Sequence, residues 1–375
     1  MVQLRDLETH DPMPGVTLGD IGPKIGFNNV DNGYCKFNRV RIPRQNMGMR
    51  VSMVTREGKY KKNTGVPQEI LYFTMLQTRM GFVRLAGLSL AKACTISVRY
   101  SAVRQQGYDA NDPKSKKELS VLDYQTQQYR LLPLVAAAYA ITLNGIGTAC
   151  SIGSLPEPMQ FISSIEKPSP PAQSRPQKQW LDVATYVGVF QQRFLYLLRS
   201  LEKKVAAAGS PTAGLQNNSM HCYKLSMAYS KLLLVSSFAE AIRSNSTLTT
   251  ETLSSTELLP VLRQVCHLFA LTQLEADSGE FMESGCVFPT DMPLIRANIE
   301  ELLVQIRPHA VTLVDGFNFS DHSLNSTLGR YDGNVYEALY ESAQHDPLNH
   351  SSDKVALHEL LRPIREEIAR SQSRL

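Results

Sequence analysis

A stretch rich in proline and serine divides the chain and limits most strongly what it can fold into. Between residues 153 and 179 six prolines stand among serines: Pro156, Pro158, Pro168, Pro170, Pro171 and Pro176. Proline removes backbone donors and breaks helices, so this composition resists a packed core. We therefore expect a linker over residues 151–179, with folded segments on either side.

Only the first sixty residues carry the pattern of short strands. Residues 2–7 alternate, glycine and proline then recur, and Asp31-Asn32-Gly33 forms a turn signal before Tyr34 and Phe37. Such a pattern predicts a few strands joined by turns. A sheet needs about three strands and a covered face to be independently stable, so we expect the end of a larger β-domain.

Two long helices are predicted before the linker. Residues 68–106 contain no proline and place apolar side chains at helical spacing. Residues 119–145 form a second helical run, with Ser120 as a possible N-cap and a kink or break expected at Pro133. Together the two runs predict half of a helical bundle.

The chain after the linker is predicted to consist of helices and loops. Apolar periodicity separated by polar or glycine-containing breaks indicates helices over residues 180–208, 215–243, 256–276, 292–317 and 354–372. The expected fold class is thus mainly α: a remnant of a β-domain, then helical bundle segments, then a C-terminal helical domain.

The composition argues against several functional classes. The net charge of +4 arises from 39 basic and 35 acidic residues that are scattered along the chain, so no basic footprint for nucleic acid is present. A membrane-spanning helix needs about 20 consecutive apolar residues. The best stretch, residues 131–146, is interrupted by Pro133, Asn144 and Gly145, and no membrane span is expected.

The cysteines predict neither a disulfide framework nor a metal site. They are widely separated and never form a CxxC pair: Cys35, Cys94, Cys150, Cys222, Cys266 and Cys286. Two of them adjoin a histidine, in His221-Cys222 and Cys266-His267, but neighbouring residues of a helix point about 100° apart. Free, mostly buried thiols are expected.

Several segments resemble the peroxisomal acyl-CoA oxidases of the acyl-CoA dehydrogenase superfamily, in the family's order along the chain. The segments are 2–7 (VQLRDL), 14–17 (PGVT), 19–24 (GDIGPK), 30–33 (VDNG), 41–44 (RIPR), 99–105 (RYSAVRQ), 122–128 (LDYQTQQ), 305–308 (QIRP), 328–336 (LGRYDGNVY) and 346–349 (DPLN). Independent matches in a fixed order are far more specific than one short motif. The resemblance covers nearly the whole chain but only part of the family.

The resemblance implies a division into domains. Residues 1–60 correspond to the end of the family's middle β-domain, and residues 66–150 to the first half of the dehydrogenase-like helical bundle. Residues 151–179 form the linker, and residues 180–375 correspond to the family's C-terminal helical domain. Because these segments cover only part of the family's length, the chain is expected to be truncated at the N-terminus and shortened internally.

The family's reaction converts an acyl-CoA and O2 into trans-2-enoyl-CoA and H2O2, with FAD as cofactor and a glutamate as base. The glutamate lies in a Glu-Gly-Asp/Glu-Asn motif, downstream of a Gly-Gly-His-Gly segment near the flavin. Neither motif occurs in this chain, and the single Glu-Gly pair, Glu57-Gly58, precedes the bundle. No catalytic residue is therefore assigned.

Two arginines correspond to binding positions of the superfamily. Arg104 matches an arginine that contacts the flavin pyrophosphate across a dimer interface, a role that suits a guanidinium; a solvated arginine at a helix end is the alternative. Arg79 matches an arginine near the CoA part of the substrate, and a surface or salt-bridge role is its alternative. Asp332, with Tyr331 and Asn334, is interpreted as turn chemistry.

The last residues, Ser373-Arg374-Leu375, resemble the tripeptide that the peroxisomal import receptor reads. We therefore expect a peroxisomal protein. The resemblance further implies an acyl-CoA substrate and either a homodimer or pairing with a full-length oxidase.

Three hypotheses follow for the function. The first is an acyl-CoA oxidase of fatty-acid β-oxidation, which binds FAD and produces peroxide. The second is a catalytically silent chain that keeps the dimerisation helices and pairs with a complete oxidase. The third is an incomplete gene product, which would expose apolar helix faces and aggregate.

Overall fold

A computed structural model describes residues 1–49, 52–62, 69–109, 117–150, 173–244, 258–350 and 357–372. The chain divides into two compact units, Met1–Met80 and Gly81–Leu375. The predicted fold class is confirmed, because the described residues are mainly helical and short strands lie near the N-terminus. The two units are considered separately below.

The first unit contains two antiparallel hairpins. Strand β1 (Val16–Asp20) pairs with β2 (Gly33–Phe37), and β3 (Ser52–Val54) pairs with β4 (Tyr60–Lys62). A 3₁₀ turn, Arg44–Asn46, lies between the hairpins. Every side chain of β2 is exposed, so this hairpin buries little apolar surface within its own unit.

The strand predicted over residues 2–7 is wrong. Only one isolated bridge forms there, between Arg5 and Pro12. The side chain of Asp6 accepts hydrogen bonds from the backbone N–H groups of Glu8 and Thr9, at 2.8 and 2.9 Å. These bonds stabilise a turn that competes with the extended conformation.

Helix α1 (Glu69–Val103) is a single long helix, as the proline-free run predicts. It is followed by a hairpin of β5 (Gln105–Tyr108) and β6 (Glu118–Ser120). The expectation that only the first sixty residues are β-like is therefore wrong. The pairing of β5 with β6 joins residues that are distant in sequence. Gly107, in this hairpin, has φ +75°, a conformation that glycine adopts readily.

Helix α2 (Gln125–Cys150) begins later than predicted and continues through Pro133. A 3₁₀ turn, Val121–Asp123, precedes it, and the side chain of Ser120 makes no capping hydrogen bond. The predicted break at Pro133 does not occur. Packing of α2 against later helices offsets the lost backbone hydrogen bond.

Most of the predicted linker, residues 151–172, lies outside the described residues. Its last part is bound tightly to the following domain. Asp291, which is fully buried, accepts hydrogen bonds from the Ser174 hydroxyl and, at 3.0 Å, from the backbone N–H of Arg175. The amide nitrogen of Asn298 donates to the carbonyl oxygen of Gln177 at 2.9 Å.

The second unit continues as a helical assembly. A 3₁₀ turn (Gln177–Leu181) leads into its main helices, which are α3 (Val183–Ala206), α4 (Pro211–Asn217), α5 (Ser219–Ser244), α6 (Leu258–Ala276), α7 (Ser278–Glu283) and α8 (Met292–Ile306). Shorter elements follow: α9 (Ala310–Asp315), α10 (Asp321–Leu324), α11 (Val335–Gln344), α12 (Pro347–His350), the π-helical turn Leu357–Leu361 and α13 (Arg362–Gln372). Further 3₁₀ turns lie at Pro289–Asp291, Arg307–His309 and Thr327–Gly329.

The core of the second unit forms where α2, α3, α5, α6 and α8 meet. Its largest fully buried side chains include Trp180, Tyr186, Phe190, Phe238 and Phe281. Aromatic side chains of this size contribute most of the apolar area in such a core. The core therefore joins helices from both sides of the predicted linker.

Two helical stretches, Gly81–Val103 and Ser219–Arg243, have the length and composition that a membrane span requires. Core helices of soluble proteins meet the same criteria. In the second stretch the buried side chains that belong to the core include Leu232, Val235, Phe238 and Ile242.

Candidate functional site

Arg104 directly follows the last residue of α1, and its backbone is held from two sides. Its N–H donates to the carbonyl oxygen of Tyr100 at 2.8 Å, which continues the helical pattern by one residue. Its carbonyl oxygen accepts a hydrogen bond from the N–H of Val121 at 2.8 Å. Arg104 is thus fixed between the helix and the β5–β6 hairpin.

The guanidinium of Arg104 is partly exposed and contacts a tyrosine. Its Nη1 donates to the hydroxyl oxygen of Tyr336, on α11, at 3.2 Å. This hydrogen bond raises the pKa of Arg104, so the side chain remains a cation. In the described part of the chain no carboxylate lies within salt-bridge distance of it, so its charge is available to an anion.

The segment that precedes Tyr336 is a compact turn. Arg330 pairs with Asp332 at 2.5 Å and lowers the pKa of Asp332 to about 2. The Asp332 carboxylate also accepts a hydrogen bond from the backbone N–H of Asn334 at 2.9 Å. Gly333 has φ +71°, as such a turn requires. The interpretation of Asp332, Tyr331 and Asn334 as turn chemistry agrees with this geometry.

Arg99 anchors the same segment to α1. It is only 6% exposed, and its guanidinium forms a salt bridge with Asp315 at 2.8 Å. Its Nη1 donates to the carbonyl oxygen of Gly329 at 2.7 Å, and its guanidinium carbon lies 5.2 Å from the ring centre of Tyr331. A buried cation with these partners fixes the C-terminal segment beside the last turns of α1.

Arg79 is exposed on the N-terminal part of α1, within the first compact unit. Arg104 belongs to the second unit. The structure therefore does not assign the two arginines to one site. Ser373, Arg374 and Leu375 lie outside the described residues.

Glu57 is a residue of a turn and has no features of a catalytic base. Glu57 and Gly58 connect β3 to β4, and Gly58 has φ +80°. A side-chain hydrogen bond with Thr55 lowers the pKa of Glu57, whereas a base that acts near neutral pH needs a raised pKa. The interpretation of Glu57-Gly58 as unrelated to the family's base motif is therefore supported.

A groove lies between the start of α2 and the facing sides of α6 and α8. Its volume is about 540 Å³, and Ile299 and Leu303 form apolar parts of its wall. At one side the Tyr129 hydroxyl donates to Glu275 at 3.0 Å, and Arg296 Nε donates to the other oxygen of this carboxylate at 2.8 Å. The carboxylate is neutralised within the protein, and the groove includes neither Arg79 nor Arg104.

Cys266 and His267 occupy the core. The Cys266 thiol lies 3.4 Å from the hydroxyl of Tyr186, and burial raises the pKa of Cys266 to about 12. His267 is 7% exposed, and its Nδ1 has no hydrogen-bond partner among the described residues. In the described part of the chain no group of three His, Cys, Asp or Glu side chains is placed to hold a metal ion.

His267 should make stability depend on pH. Burial, followed by the charge of Arg263, lowers the pKa of His267 to about 4, although Asp182 raises it slightly. The unfolded chain binds this proton near pH 6.5, so stability is full above that pH and falls as the pH drops toward 4. The expected loss is up to about 3 kcal/mol. Urea denaturation between pH 7 and pH 4 measures it.

The control for His267 is an exposed histidine, His322. His267→Leu should flatten the pH dependence of the urea midpoint, whereas His322→Leu should leave it unchanged. An equal pH dependence in wild type and His267→Leu would contradict the prediction.

Sequence reasoning missed Tyr336 as a neighbour of Arg104. The tyrosine stands in the segment 328–336, from which the sequence predicts only a family resemblance and a turn. Arg104 and Tyr336 are 232 residues apart, and no local spacing relates them. The polar pair of Glu275 and Arg296 at the groove was missed for the same reason.

Comparison with known families gives two matches. The acyl-CoA oxidase family matches residues 182–366, and the family "Acyl-CoA oxidase, C-alpha1 domain" matches residues 72–152. Curated relatives include peroxisomal acyl-coenzyme A oxidase 1 of Arabidopsis thaliana, 30% identical over 99% of this chain and 69% of the relative. The enzyme of the same name from Rattus norvegicus is 29% identical over 98% of this chain and 69% of the relative.

Solved structures agree with these matches. Acyl-CoA oxidase 1 of Arabidopsis thaliana has a TM-score of 0.82 at 29% identity, covering 98% of this chain and 68% of the other. Acyl-CoA oxidase-1 of Caenorhabditis elegans, in complex with FAD and ATP, has a TM-score of 0.78 at 26% identity, covering 98% of this chain and 67% of the other.

The alignment with the Arabidopsis thaliana relative is much longer than this chain. It extends over 468 positions against 375 residues, so at least 93 positions of the relative have no counterpart here. Between the two family matches, residues 153–181 are not covered.

Proposed function

This chain belongs to the acyl-CoA oxidase family, and from that membership we propose that it is an FAD-dependent oxidoreductase of peroxisomal fatty-acid β-oxidation. The reaction converts an acyl-CoA and O2 into trans-2-enoyl-CoA and H2O2. The observation that carries the proposal is the similarity to a peroxisomal acyl-CoA oxidase over 99% of the chain. When bound, FAD supplies the redox chemistry, and the protein binds and orients the reactants.

Arg104 is the proposed cofactor-binding residue. Its guanidinium is partly exposed and unpaired with any carboxylate in the described part of the chain, and such a group suits a phosphate oxygen. These properties fit the pyrophosphate of FAD. Arg79, exposed on α1, is the proposed contact for the CoA part of the substrate.

The proposed domain division follows the family. Residues 1–60 form the end of the β-domain, residues 66–150 the first half of the helical bundle, residues 151–179 a linker and residues 180–375 the C-terminal helical domain. The last residues of this linker, from Ser174 to Gln177, are hydrogen-bonded to the C-terminal domain. The family matches over residues 72–152 and 182–366 support this division, as does the longer alignment of the relative.

A catalytically silent chain is the second candidate function. One observation suggests this function: the Glu-Gly-Asp/Glu-Asn and Gly-Gly-His-Gly motifs are absent from the sequence. Such a chain would associate with a complete oxidase and leave the chemistry to it. The two candidates differ in a measurable way, because only the first predicts turnover by the purified chain.

The decisive experiment is an absorbance spectrum of the purified chain, followed by peroxide release on addition of a long-chain acyl-CoA. We expect flavin bands at about 450 nm and peroxide formation. Arg79→Gln should raise KM for the acyl-CoA and leave the flavin content unchanged. A yellow chain that releases no peroxide would favour the silent partner, and a colourless chain would contradict FAD binding.

The proposed location is the peroxisome, where the import receptor would read Ser373, Arg374 and Leu375. The names of the curated relatives support this location. A fluorescent protein fused to the N-terminus should enter peroxisomes and should remain cytosolic when these three residues are removed. Cytosolic fluorescence of the intact fusion would contradict the proposal.

The proposed assembly is a homodimer or a pair with a full-length oxidase. Exposed apolar side chains support association: Phe82 and Leu85 on α1, and Leu360, Ile364 and Ile368 at the C-terminal helix, are 52% to 64% exposed. Light scattering on the purified chain measures the state, and a monomer at micromolar concentration would argue against the homodimer.

A further inference from the structure

We propose that Tyr336 is a second anion-binding residue and that it donates its hydroxyl proton to the same phosphate group that Arg104 binds. The inference rests on the proposed role of Arg104 in cofactor binding and extends it to the C-terminal segment 328–336. The ligand class is a phosphate or pyrophosphate group of an adenine nucleotide.

The hydrogen bond between the two side chains sets the direction of the tyrosine proton. Nη1 of Arg104 is the donor, at 3.2 Å, so the hydroxyl oxygen of Tyr336 is the acceptor. The hydroxyl proton of Tyr336 must therefore point away from the guanidinium. Among the described residues no acceptor for this proton is found, and the side chain is 47% exposed. A ligand oxygen beside Arg104 can accept it.

Arg104 differs from the neighbouring arginines because no carboxylate among the described residues forms a salt bridge with it. Arg99 is paired with Asp315, Arg307 with Asp123 and Arg330 with Asp332. Arg104 has a neutral phenol as its partner instead. A phenol orients the guanidinium without neutralising it, so the pair presents one full positive charge and two kinds of donor to an anion.

The position of Tyr336 is set by packing on both sides of the turn. Val335 is 1% exposed and anchors the first turn of α11. A Cβ at Gly333 would lie 3.3 Å from the Val103 side chain, so the turn lies directly against the end of α1. Arg99 holds Gly329 at the other end of the segment. The segment 328–336 thereby brings the hydroxyl to the guanidinium of Arg104.

The test compares ligands and variants on the full chain by isothermal titration calorimetry. Tyr336→Phe should weaken the binding of FAD and of ADP about tenfold, the expected effect of losing one hydrogen bond to a charged group. Riboflavin, which has no phosphate, should bind both proteins equally. Loss of riboflavin binding in Tyr336→Phe would show a merely structural role and overturn the inference.

Matched controls come from the same helices. Tyr340→Phe, at an exposed tyrosine one turn further along α11, should not change the binding of ADP. Arg104→Gln should weaken ADP binding at least as much as Tyr336→Phe, whereas Arg84→Gln, on the exposed part of α1, should not. Because the two side chains act on one anion, the double variant Arg104→Gln/Tyr336→Phe should lose less than the product of the single effects.

The outcomes separate this inference from the proposed function. A chain that binds FAD equally well with and without the Tyr336 hydroxyl would overturn the inference alone. A chain that binds ADP through Tyr336 but does not bind FAD would overturn the proposed cofactor alone. Binding of CoA through Tyr336 without binding of FAD would support the inference and assign the phosphate to the substrate. If the wild type binds none of FAD, ADP and CoA, the inference is overturned.

Discussion

Arg99→Met should lower the free energy of unfolding by about 3–5 kcal/mol, the usual cost of breaking a buried ion pair. Arg99 is 6% exposed and pairs with Asp315 and with the carbonyl oxygen of Gly329. Methionine keeps most of the apolar volume but leaves both partners without the guanidinium. Urea denaturation at pH 7 measures the change.

Two further variants make the Arg99 prediction specific. Arg84→Met, on the exposed face of the same helix, should change stability by less than about 0.5 kcal/mol. Arg99→Met/Asp315→Leu should recover part of the loss, because it removes the stranded carboxylate. An Arg99→Met protein as stable as Arg84→Met would show that the ion pair does not anchor the C-terminal segment.

Arg193→Met should cost a comparable amount, about 3–5 kcal/mol. Arg193 on α3 is 3% exposed and lies 2.6 Å from Glu280 and 2.8 Å from Asp277. Its guanidinium carbon also lies 4.9 Å from the ring centre of the fully buried Phe281. The substitution would leave two partly buried carboxylates: Asp277 would keep Lys231 at 2.6 Å, and Glu280 would keep only the exposed Lys224 at 3.4 Å among the described residues.

The control variant for Arg193→Met lies on the same helix, α3. Arg199→Met, at an exposed position of α3, should leave the urea midpoint nearly unchanged. Arg193→Lys keeps the charge but lacks the planar set of donors, so it should fall between wild type and Arg193→Met. If Arg193→Met and Arg199→Met unfold at the same urea concentration, this network does not contribute to stability.

The helices were the most predictable part of the fold. The proline-free run over residues 68–106 predicted α1, because helical periodicity and the absence of helix breakers act over a few neighbouring residues. Pro133 shows the limit of a local rule: of the predicted kink or break, the break does not occur, since α2 packs against α5, α6 and α8. Packing energy outweighed the local cost.

The strands were less predictable. Residues 2–7 alternate like a strand, yet the hydrogen bonds of Asp6 form a turn there. The β5–β6 hairpin gave no clear pattern, since its strands are short and pair across residues 109–117. Strand pairing depends on a partner that is not adjacent in sequence, so local patterns predict it poorly.

Residue types and their order along the chain were sufficient to predict the mainly α fold class, the family resemblance, the absence of the family's glutamate motif and the choice of Arg104 as a candidate site. These properties reside in residue identity and short-range spacing. Two contacts became visible only in the folded chain: Tyr336 contacts Arg104, across 232 residues, and Arg99 is buried against Asp315. Such contacts depend on how distant helices pack, and packing is a property of the whole folded chain.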